Sequence, residues 1–178
     1  MKYNNAKPVS FVRSWSCLLL MVLTACADST SSSTATVNSS SPRLSVVNTR
    51  DLLKLHNQAR ISGTRCSEGR RTVAPALIWN NRLASAANNH AQYMAMTNRH
   101  SHKGRNGSSF TTRIEQTGYQ WLSAGENIAY GYKSAESVMQ AWLKSKAHCA
   151  NITNPDVTEM AASVVDGYWV TVFARSKR

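Results

Sequence analysis

Acidic residues are scarce in this sequence. It holds 9 Asp and Glu against 21 Lys and Arg, which gives a formal net charge of +12 over 178 residues. The cations are scattered along the chain, with no dense basic run and no motif typical of nucleic-acid binding. Because a basic surface attracts anions, we expect anionic partners other than nucleic acid.

The sequence also has no apolar run long enough to span a bilayer. Residues 17–23 form its main run, far short of the roughly 20 residues that a transmembrane helix needs. Lys2, Lys7 and Arg13 precede this run and small residues follow it, an order typical of a signal peptide. We therefore predict a signal peptide over residues 1–25 rather than a buried core helix.

The end of this segment predicts a lipid anchor. Leu23-Thr24-Ala25-Cys26 resembles the lipobox of bacterial lipoproteins, in which the cysteine is acylated and becomes the new N-terminus. More than one acyl chain holds a protein firmly on a membrane. We expect lipidation at Cys26 and export to the bacterial cell envelope, either the periplasm or the cell surface. Cleavage that merely falls beside a cysteine is the alternative.

A change in composition marks the start of the folded domain. Ten of the sixteen residues from Ala27 to Pro42 are Ser or Thr. Such a stretch buries too little apolar surface to offset the entropy of ordering it. We predict a flexible tether over residues 26–42 and one folded domain over residues 43–178, which we expect to be a monomer.

Cysteine is rare, and each of the four has a predicted fate. Cys17 leaves with the signal peptide and Cys26 carries lipid, so only Cys66 and Cys149 remain in the domain. In an oxidising compartment such a pair is expected to form a disulfide. Two cysteines cannot supply the four ligands of a structural zinc site. A nucleophilic Cys149 beside His148 is disfavoured, because neighbours on a helix point apart and a disulfide would consume the thiol.

Periodicity predicts helices on both sides of a sheet. We predict helices over residues 49–60, 82–97 and 109–117 and another beginning at Ser134, and a β-hairpin that turns at Asp166-Gly167. Residues 61–75 are predicted to be loop. The final strand is apolar on both faces, so helices should cover both sides of the sheet. His56 and His90 lie on the inner faces of their helices, and we interpret both as core histidines.

Four ordered motifs resemble the CAP superfamily, the cysteine-rich secretory and pathogenesis-related proteins, in its bacterial branch. The resemblance spans residues 52 to 174. The motifs that carry it are His56-Asn57-Gln58-Ala59-Arg60, then Ser101-His102-Lys103-Gly104 with Arg113-Ile114-Glu115-Gln116-Thr117-Gly118-Tyr119, then Gly125-Glu126-Asn127-Ile128-Ala129, and Trp142 to Ile152. The resemblance implies an α/β (α+β) fold, a three-layer α-β-α sandwich with a mostly antiparallel central sheet. Family members often have cysteines at the positions of Cys66 and Cys149.

The resemblance also implies a cleft in which His102, Glu126 and His148 converge. Two imidazoles and a carboxylate can hold Zn²⁺ or another divalent cation with a fourth position open to water. The same side chains could instead hydrogen-bond to one another without metal, with Glu126 fixing an imidazole tautomer. Both alternatives stay open at this point.

Several positions depart from the wider family pattern. Ser145 stands where animal and plant members carry a second glutamate, and nothing in the spacing selects Glu115 or Glu136 in its place. His100 stands where a Phe is common, so it is an additional ligand or only a half-exposed ring. These departures weaken the case for a four-residue metal site.

Two functions compete at this point. The first is a binding or interaction module of the cell envelope that recognises a lipid or an anionic envelope component. The second is a metal-dependent, peptidase-like envelope hydrolase in which His102, Glu126 and His148 activate water. The sequence has no HExxH helix and no GxSxG turn. We therefore assign no catalytic residue and favour binding over enzymatic activity.

Overall fold

The computed structural model describes residues 48–66, 69 and 71–177. The predicted signal peptide, the acylated Cys26 and the tether 26–42 lie outside the described residues, so those three assignments stay predictions. Within the described part, no helix has the length and apolar character needed to cross a bilayer.

Five α-helices and six strands make up the described domain. In chain order they are α1 Thr49–Ser62, β1 Thr64–Arg65, β2 Arg71–Thr72, β3 Ile78–Trp79, α2 Asn81–Thr97, α3 Phe110–Gln116, β4 Trp121–Tyr130, α4 Ala135–Lys144, α5 Lys146–Thr153, β5 Glu159–Val165 and β6 Tyr168–Ser176. A single 3₁₀ turn, Arg105–Gly107, lies between α2 and α3.

Side-chain caps fix the starts of the four predicted helices. The side chains of Asn48, Asn80, Ser109 and Ser134 accept hydrogen bonds from backbone N–H groups in the first turns of α1, α2, α3 and α4. These N–H groups have no partner within the helix, so a cap oxygen stabilises each start. The four helix predictions are confirmed to within two residues at the starts. Helix α5 was not predicted, and the predicted loop 61–75 contains the short pair β1–β2.

The central sheet has four strands in the order β3-β5-β6-β4. Strands β5, β6 and β4 pair antiparallel, and β3 joins β5 in parallel. The sheet is therefore mixed, with the antiparallel majority that was expected. The β5–β6 turn places Asp166 at φ 47° and Gly167 at φ 80°. Positive φ at both positions is what a two-residue hairpin turn requires, which confirms the predicted hairpin.

Both faces of the sheet are covered, as predicted. On β6, Trp169 and Phe173 face one core with α1, α4 and α5. Val170 and Val172 face a second core with α2 and α3. Successive strand residues point to opposite faces, so an apolar run on β6 supplies both cores at once. The three-layer α-β-α arrangement is confirmed.

Two long-range contacts hold α5 in place. Cys66, just after β1, is bonded to Cys149 on α5 with Cα atoms 5.4 Å apart, which confirms the predicted disulfide. Arg60 of α1 is fully buried and donates to the carbonyls of Pro75, Ile152, Asn154 and Val157 at 2.6 to 3.1 Å. A buried guanidinium needs such acceptors, so Arg60 ties the end of α5 and the following loop to α1.

Candidate functional site

Glu126 is the centre of a buried polar group on β4. Its carboxylate accepts a hydrogen bond from Arg113 Nη2 to Oε2 at 2.6 Å and one from His102 Nδ1 to Oε1 at 2.8 Å. The Glu126 side chain is 1% exposed and that of Arg113 is 7% exposed. A buried carboxylate needs such a partner, because an unpaired charge in the interior is strongly unfavourable.

The hydrogen bond between His102 and Glu126 fixes the tautomer of His102. A carboxylate only accepts, so the proton of a neutral His102 ring sits on Nδ1 and Nε2 is left with a lone pair. The His102 side chain is 54% exposed, in contrast to its buried partner. Glu126 therefore holds a solvent-accessible imidazole acceptor in one orientation, which is the metal-free arrangement considered from the sequence.

Arg113 also holds the loop that carries His102. Its Nη1 donates to the carbonyls of His102 at 3.1 Å and Ser108 at 2.9 Å. Gly104 lies under the guanidinium, and a Cβ added there would come within 2.9 Å of Arg113 Nη1 and 2.8 Å of Ser108 Oγ. The absence of a side chain at Gly104 allows this close approach. One arginine thus fixes both the carboxylate and the loop.

The backbone of His148, on α5, contacts the residue that follows Glu126. Its carbonyl accepts from Asn127 Nδ2 at 3.0 Å, and Asn127 follows Glu126 on β4. Asn151 of α5 donates back to the Glu126 carbonyl at 3.2 Å and to Asn127 Oδ1 at 2.9 Å. A Cβ at Gly125 would lie 3.1 Å from Asn151 Oδ1, so this glycine allows α5 to sit tightly on β4. These amides set the position of His148 relative to Glu126.

Three imidazoles lie near one another at the surface. Burial lowers the pKa of His148, and the neighbouring His102 and His100 lower it further. Burial also lowers the pKa of His100, again with a contribution from His102. These effects favour the neutral rings at neutral pH, so both can accept hydrogen bonds or bind a cation.

A cavity of about 370 Å³ extends from His148 and His100 along the end of β4. Its other walls are apolar and aromatic and come from β4, from α4 and from the loop between them. They include Ile128, Tyr130, Tyr132, Ala141 and Trp142. Ser145, at the position of the second family glutamate, lines the same cavity. The cavity combines two imidazoles with a mainly apolar wall, a composition suited to binding a small molecule.

The donor set fits a metal poorly. In the described part of the chain, no three His, Cys, Asp or Glu side chains are placed to hold one ion. Both oxygens of Glu126 are engaged by Arg113 and His102. The structure therefore supports the hydrogen-bonded alternative for Glu126. Binding of Zn²⁺ or another divalent cation by His102, Glu126 and His148 stays a prediction.

The remaining candidate acids lie outside this group. Glu115 accepts from Trp121 Nε1 at 2.9 Å, and Glu136 is exposed in the first turn of α4. The two core histidines, His56 and His90, are fully buried.

Sequence reasoning missed the residues that organise the site. Arg113, Asn127 and Asn151 were present in the motifs, but no role was assigned to them. The one available signal was Glu126 itself, because a carboxylate inside a strand buried on both faces requires a cation. That argument predicts a partner without naming it.

These features identify the class of protein. The chain belongs to the Cysteine-rich secretory protein family (CAP), which matches residues 53–173. That range begins within α1 and ends within β6, and it includes every residue of the site described above. The family prediction made from the ordered motifs is therefore confirmed.

Individual relatives agree with this membership. The chain is 30% identical over 99 residues to the uncharacterized membrane protein YlbC of Bacillus subtilis, covering 56% of this chain and 29% of YlbC. It also resembles an extracellular SCP-domain protein of Bacillus anthracis, with TM-score 0.63 and 25% identity over 72% of this chain and 40% of the other. The chain thus spans less than half the length of both relatives.

A third protein shares the fold at lower identity. An outer surface protein of Borrelia burgdorferi superposes with TM-score 0.59 and 18% identity, covering 72% of this chain and 92% of that protein. At this identity the likeness shows the fold alone.

Proposed function

We propose that this protein is an exported, lipid-anchored CAP-domain binding module of the bacterial cell envelope. The acyl anchor on Cys26 would hold it to a membrane, and the cleft at His102 and His148 would recognise a lipid or an anionic envelope component. Relatives described as extracellular, outer-surface and membrane proteins are consistent with this location.

One observation supports binding over hydrolysis. Glu126 is the carboxylate of the site, and it is buried and hydrogen-bonded to Arg113 and His102. A general base or a metal ligand needs an oxygen that can reach the substrate or the ion. Glu126 is instead a positioning residue that orients the exposed ring of His102.

The adjoining cavity supports a ligand with an apolar part. Tyr130 is 54% exposed and Tyr132 is 38% exposed, and both line the cavity next to His148. Exposed aromatic rings beside polar acceptors are a common recognition surface, since each ring offers an apolar face at small entropic cost. A ligand would place donors on the imidazoles and an apolar portion against the tyrosines.

Binding of the Cys26→Ser protein to isolated cell envelopes tests the proposal. We expect saturable binding that falls about tenfold when His102→Gln and His148→Gln are combined, since two hydrogen bonds are worth about 1–3 kcal/mol. Lys103→Gln, an exposed change beside His102, serves as the control. Equal binding by all three proteins would show that the cleft does not recognise the envelope.

Calorimetric titration with zinc separates the alternatives. Two imidazoles without a third protein ligand predict weak binding that disappears in His148→Ala. A tight zinc site lost in both His148→Ala and Glu126→Gln would instead restore the predicted three-ligand centre and reopen the hydrolase alternative.

A further inference from the structure

A second cavity lies between α2 and α3, and Arg113 is one of the residues that line it. Its volume is about 510 Å³, within the range of small-molecule sites. The 3₁₀ turn Arg105–Gly107 forms one wall. No described residue that lines this cavity also lines the cavity beside His148. We propose that this cavity binds an acidic saccharide.

The lining is rich in carboxamides. Four of the lining side chains end in an amide and are exposed to solvent, namely Asn89, Gln92, Asn106 and Gln116. An amide offers two N–H donors and a carbonyl acceptor in one plane. Sugar hydroxyls are both donors and acceptors, so a ring of amides can match several hydroxyls of one saccharide unit.

Tyr93 supplies an aromatic surface in the same cavity. Its ring lies nearly parallel to that of His90, with centroids 6.4 Å apart and planes inclined by 16°. Met96, one turn further along α2, is 77% exposed and also lines the cavity. Together they offer an apolar platform beside the amides, which suits the C–H face of a pyranose ring.

Arg105 favours a ligand that carries a carboxylate. Its guanidinium lies 5.8 Å from the centre of the Tyr93 ring, and it forms no ion pair within the described part of the chain. No Asp or Glu of the described residues lines the cavity. A guanidinium presents paired N–H donors that fit a carboxylate, and the surrounding excess of positive charge favours the same ligand.

The turn that carries Arg105 is held in shape before any ligand binds. Its N–H and carbonyl groups form the bonds Gly107 N to Gly104 O and Ser108 N to Arg105 O, both at 3.1 Å. Asn106 and Gly107 take φ values of 54° and 73° in this turn. Asn106 also lines the cavity. A preformed wall reduces the entropy lost on binding.

His90 adds an unsatisfied acceptor at the cavity. Its Nε2 donates to the Ser101 carbonyl at 2.8 Å, so Nδ1 carries the lone pair of the neutral ring. This Nδ1 is buried and has no hydrogen-bond partner among the described residues. Buried polar atoms are normally paired, and because the His90 ring is fully buried, a bridging water between the ring and the cavity is the kind of group that pairs with it.

Calorimetric titration of the full chain with three probes tests the proposal. The probes are a trimer of galacturonic acid, the neutral trimer of galactose and citrate, at one ionic strength. We expect the acidic trimer to bind at least tenfold more tightly than either of the others. Equal binding of the two trimers would overturn the preference for acid. Equal binding of citrate would reduce the site to an adventitious anion site, and absence of binding would overturn the proposal.

Two matched variants locate the binding. Arg105→Gln should weaken binding of the acidic trimer about tenfold or more, because it removes the charge-assisted contact. Arg50→Gln is the control, since Arg50 of α1 also lies over an aromatic ring, 4.1 Å from the centre of Trp79 on β3, and its loss changes the net charge equally. Equal weakening by both variants would show non-specific attraction and would overturn the assignment. His102→Gln should leave this binding unchanged, so the outcome is independent of the first cleft.

Discussion

Two arginines are buried among the described residues, and the hydrogen-bond donors of each are paired in a different way. Arg60 is surrounded by backbone carbonyls, three of them at the end of α5 and in the chain that follows it, with no carboxylate among its described hydrogen-bond partners. Arg113 pairs with Glu126 and also holds the His102 loop. The first fixes the fold and the second fixes the site, because only the second orients a solvent-exposed functional group.

Replacement of Arg113 tests its pairing with Glu126. We expect Arg113→Met to lower the free energy of unfolding by about 3–5 kcal/mol, since it leaves a buried carboxylate without its cation. Adding Glu126→Gln should recover about 1 kcal/mol or more of this loss, because the unpaired charge of the Glu126 carboxylate is then absent. Urea unfolding at pH 7.5 measures both.

The control for this cycle is Arg82→Met. Arg82 is exposed and makes one described side-chain hydrogen bond, to the Gly118 carbonyl at 3.0 Å. Its loss should cost no more than about 1 kcal/mol. If the loss in free energy of unfolding of the double variant equalled the sum of the losses of Arg113→Met and Glu126→Gln, the two side chains would not act as a pair.

His56 predicts a dependence of stability on pH. Burial, with a smaller contribution from the charge of Arg60, lowers the pKa of His56 from 6.5 to about 4, and its hydrogen bond to the Leu52 carbonyl only partly offsets this. The unfolded chain therefore takes up this proton first as the pH falls. Stability from this residue is complete above pH 6.5 and declines toward pH 4, by about 3 kcal/mol in total.

Urea unfolding between pH 7.5 and 4.5 measures this effect. His56→Leu should be less stable than the wild type at pH 7.5, because it loses the bond to Leu52, but its stability should change less with pH. His100→Gln, at an exposed ring, should keep most of the wild-type dependence. Parallel pH profiles for the wild type and His56→Leu would contradict the assignment.

At the scale of elements, α5 is the segment whose placement matters most for the site. This eight-residue helix carries His148 and has no side-chain cap at its N-terminus. A helix this short is marginal by itself, so tertiary contacts must hold it. The disulfide at Cys149, the Asn127–Asn151 contact and the carbonyl bonds to Arg60 supply them.

Removal of the disulfide should loosen α5 before the rest of the domain. The bond closes a loop of 83 residues, for which the chain-entropy relation gives a maximum of about 4.5 kcal/mol. We expect Cys66→Ala with Cys149→Ala to lose about 2–4 kcal/mol of stability and to show faster amide exchange in α5 than in β6.

Two controls accompany this measurement. The oxidised wild type should be two hydrogens lighter than the reduced protein in intact-mass analysis, and the double alanine variant should be indifferent to reductant. Unchanged stability after reduction, or equal exchange rates in α5 and β6, would contradict the role of the disulfide.

At the scale of the whole molecule, two cavities of the described domain have linings of different chemistry. The first cleft lies where β4 meets α4 and α5, and the second cavity lies between α2 and α3. Arg113 lines the second cavity and also binds Glu126, so it stands between them. The excess of positive charge over the whole chain favours an anionic ligand for both.

Attachment of the whole molecule to a membrane is predicted to depend on Cys26. Cys26→Ser should move the protein from the membrane fraction to the soluble exported fraction, because it removes the acylated thiol. Cys17→Ser is the matched control, since Cys17 lies in the apolar run that is predicted to be removed. Salt-washed membranes analysed by immunoblot give the answer, and unchanged retention of Cys26→Ser would refute the anchor.

The sequence by itself determined the features that depend on neighbouring residues. Asn48, Asn80, Ser109 and Ser134 mark helix starts because a cap acts within three residues. Asp166-Gly167 marks the hairpin because positive φ is a local requirement. The ordered motifs added the family, and the family implied His102, Glu126 and His148.

Only the tertiary structure decided which side chains Glu126 contacts. Glu126 lies 24 residues from His102 and 13 from Arg113, and no local spacing selects either partner. The parallel pairing of β3 with β5 and the placement of α5 likewise depend on contacts between distant segments. Burial on β4 requires the Glu126 charge to be paired, and folding brings Arg113 to it, which makes the carboxylate a support for His102.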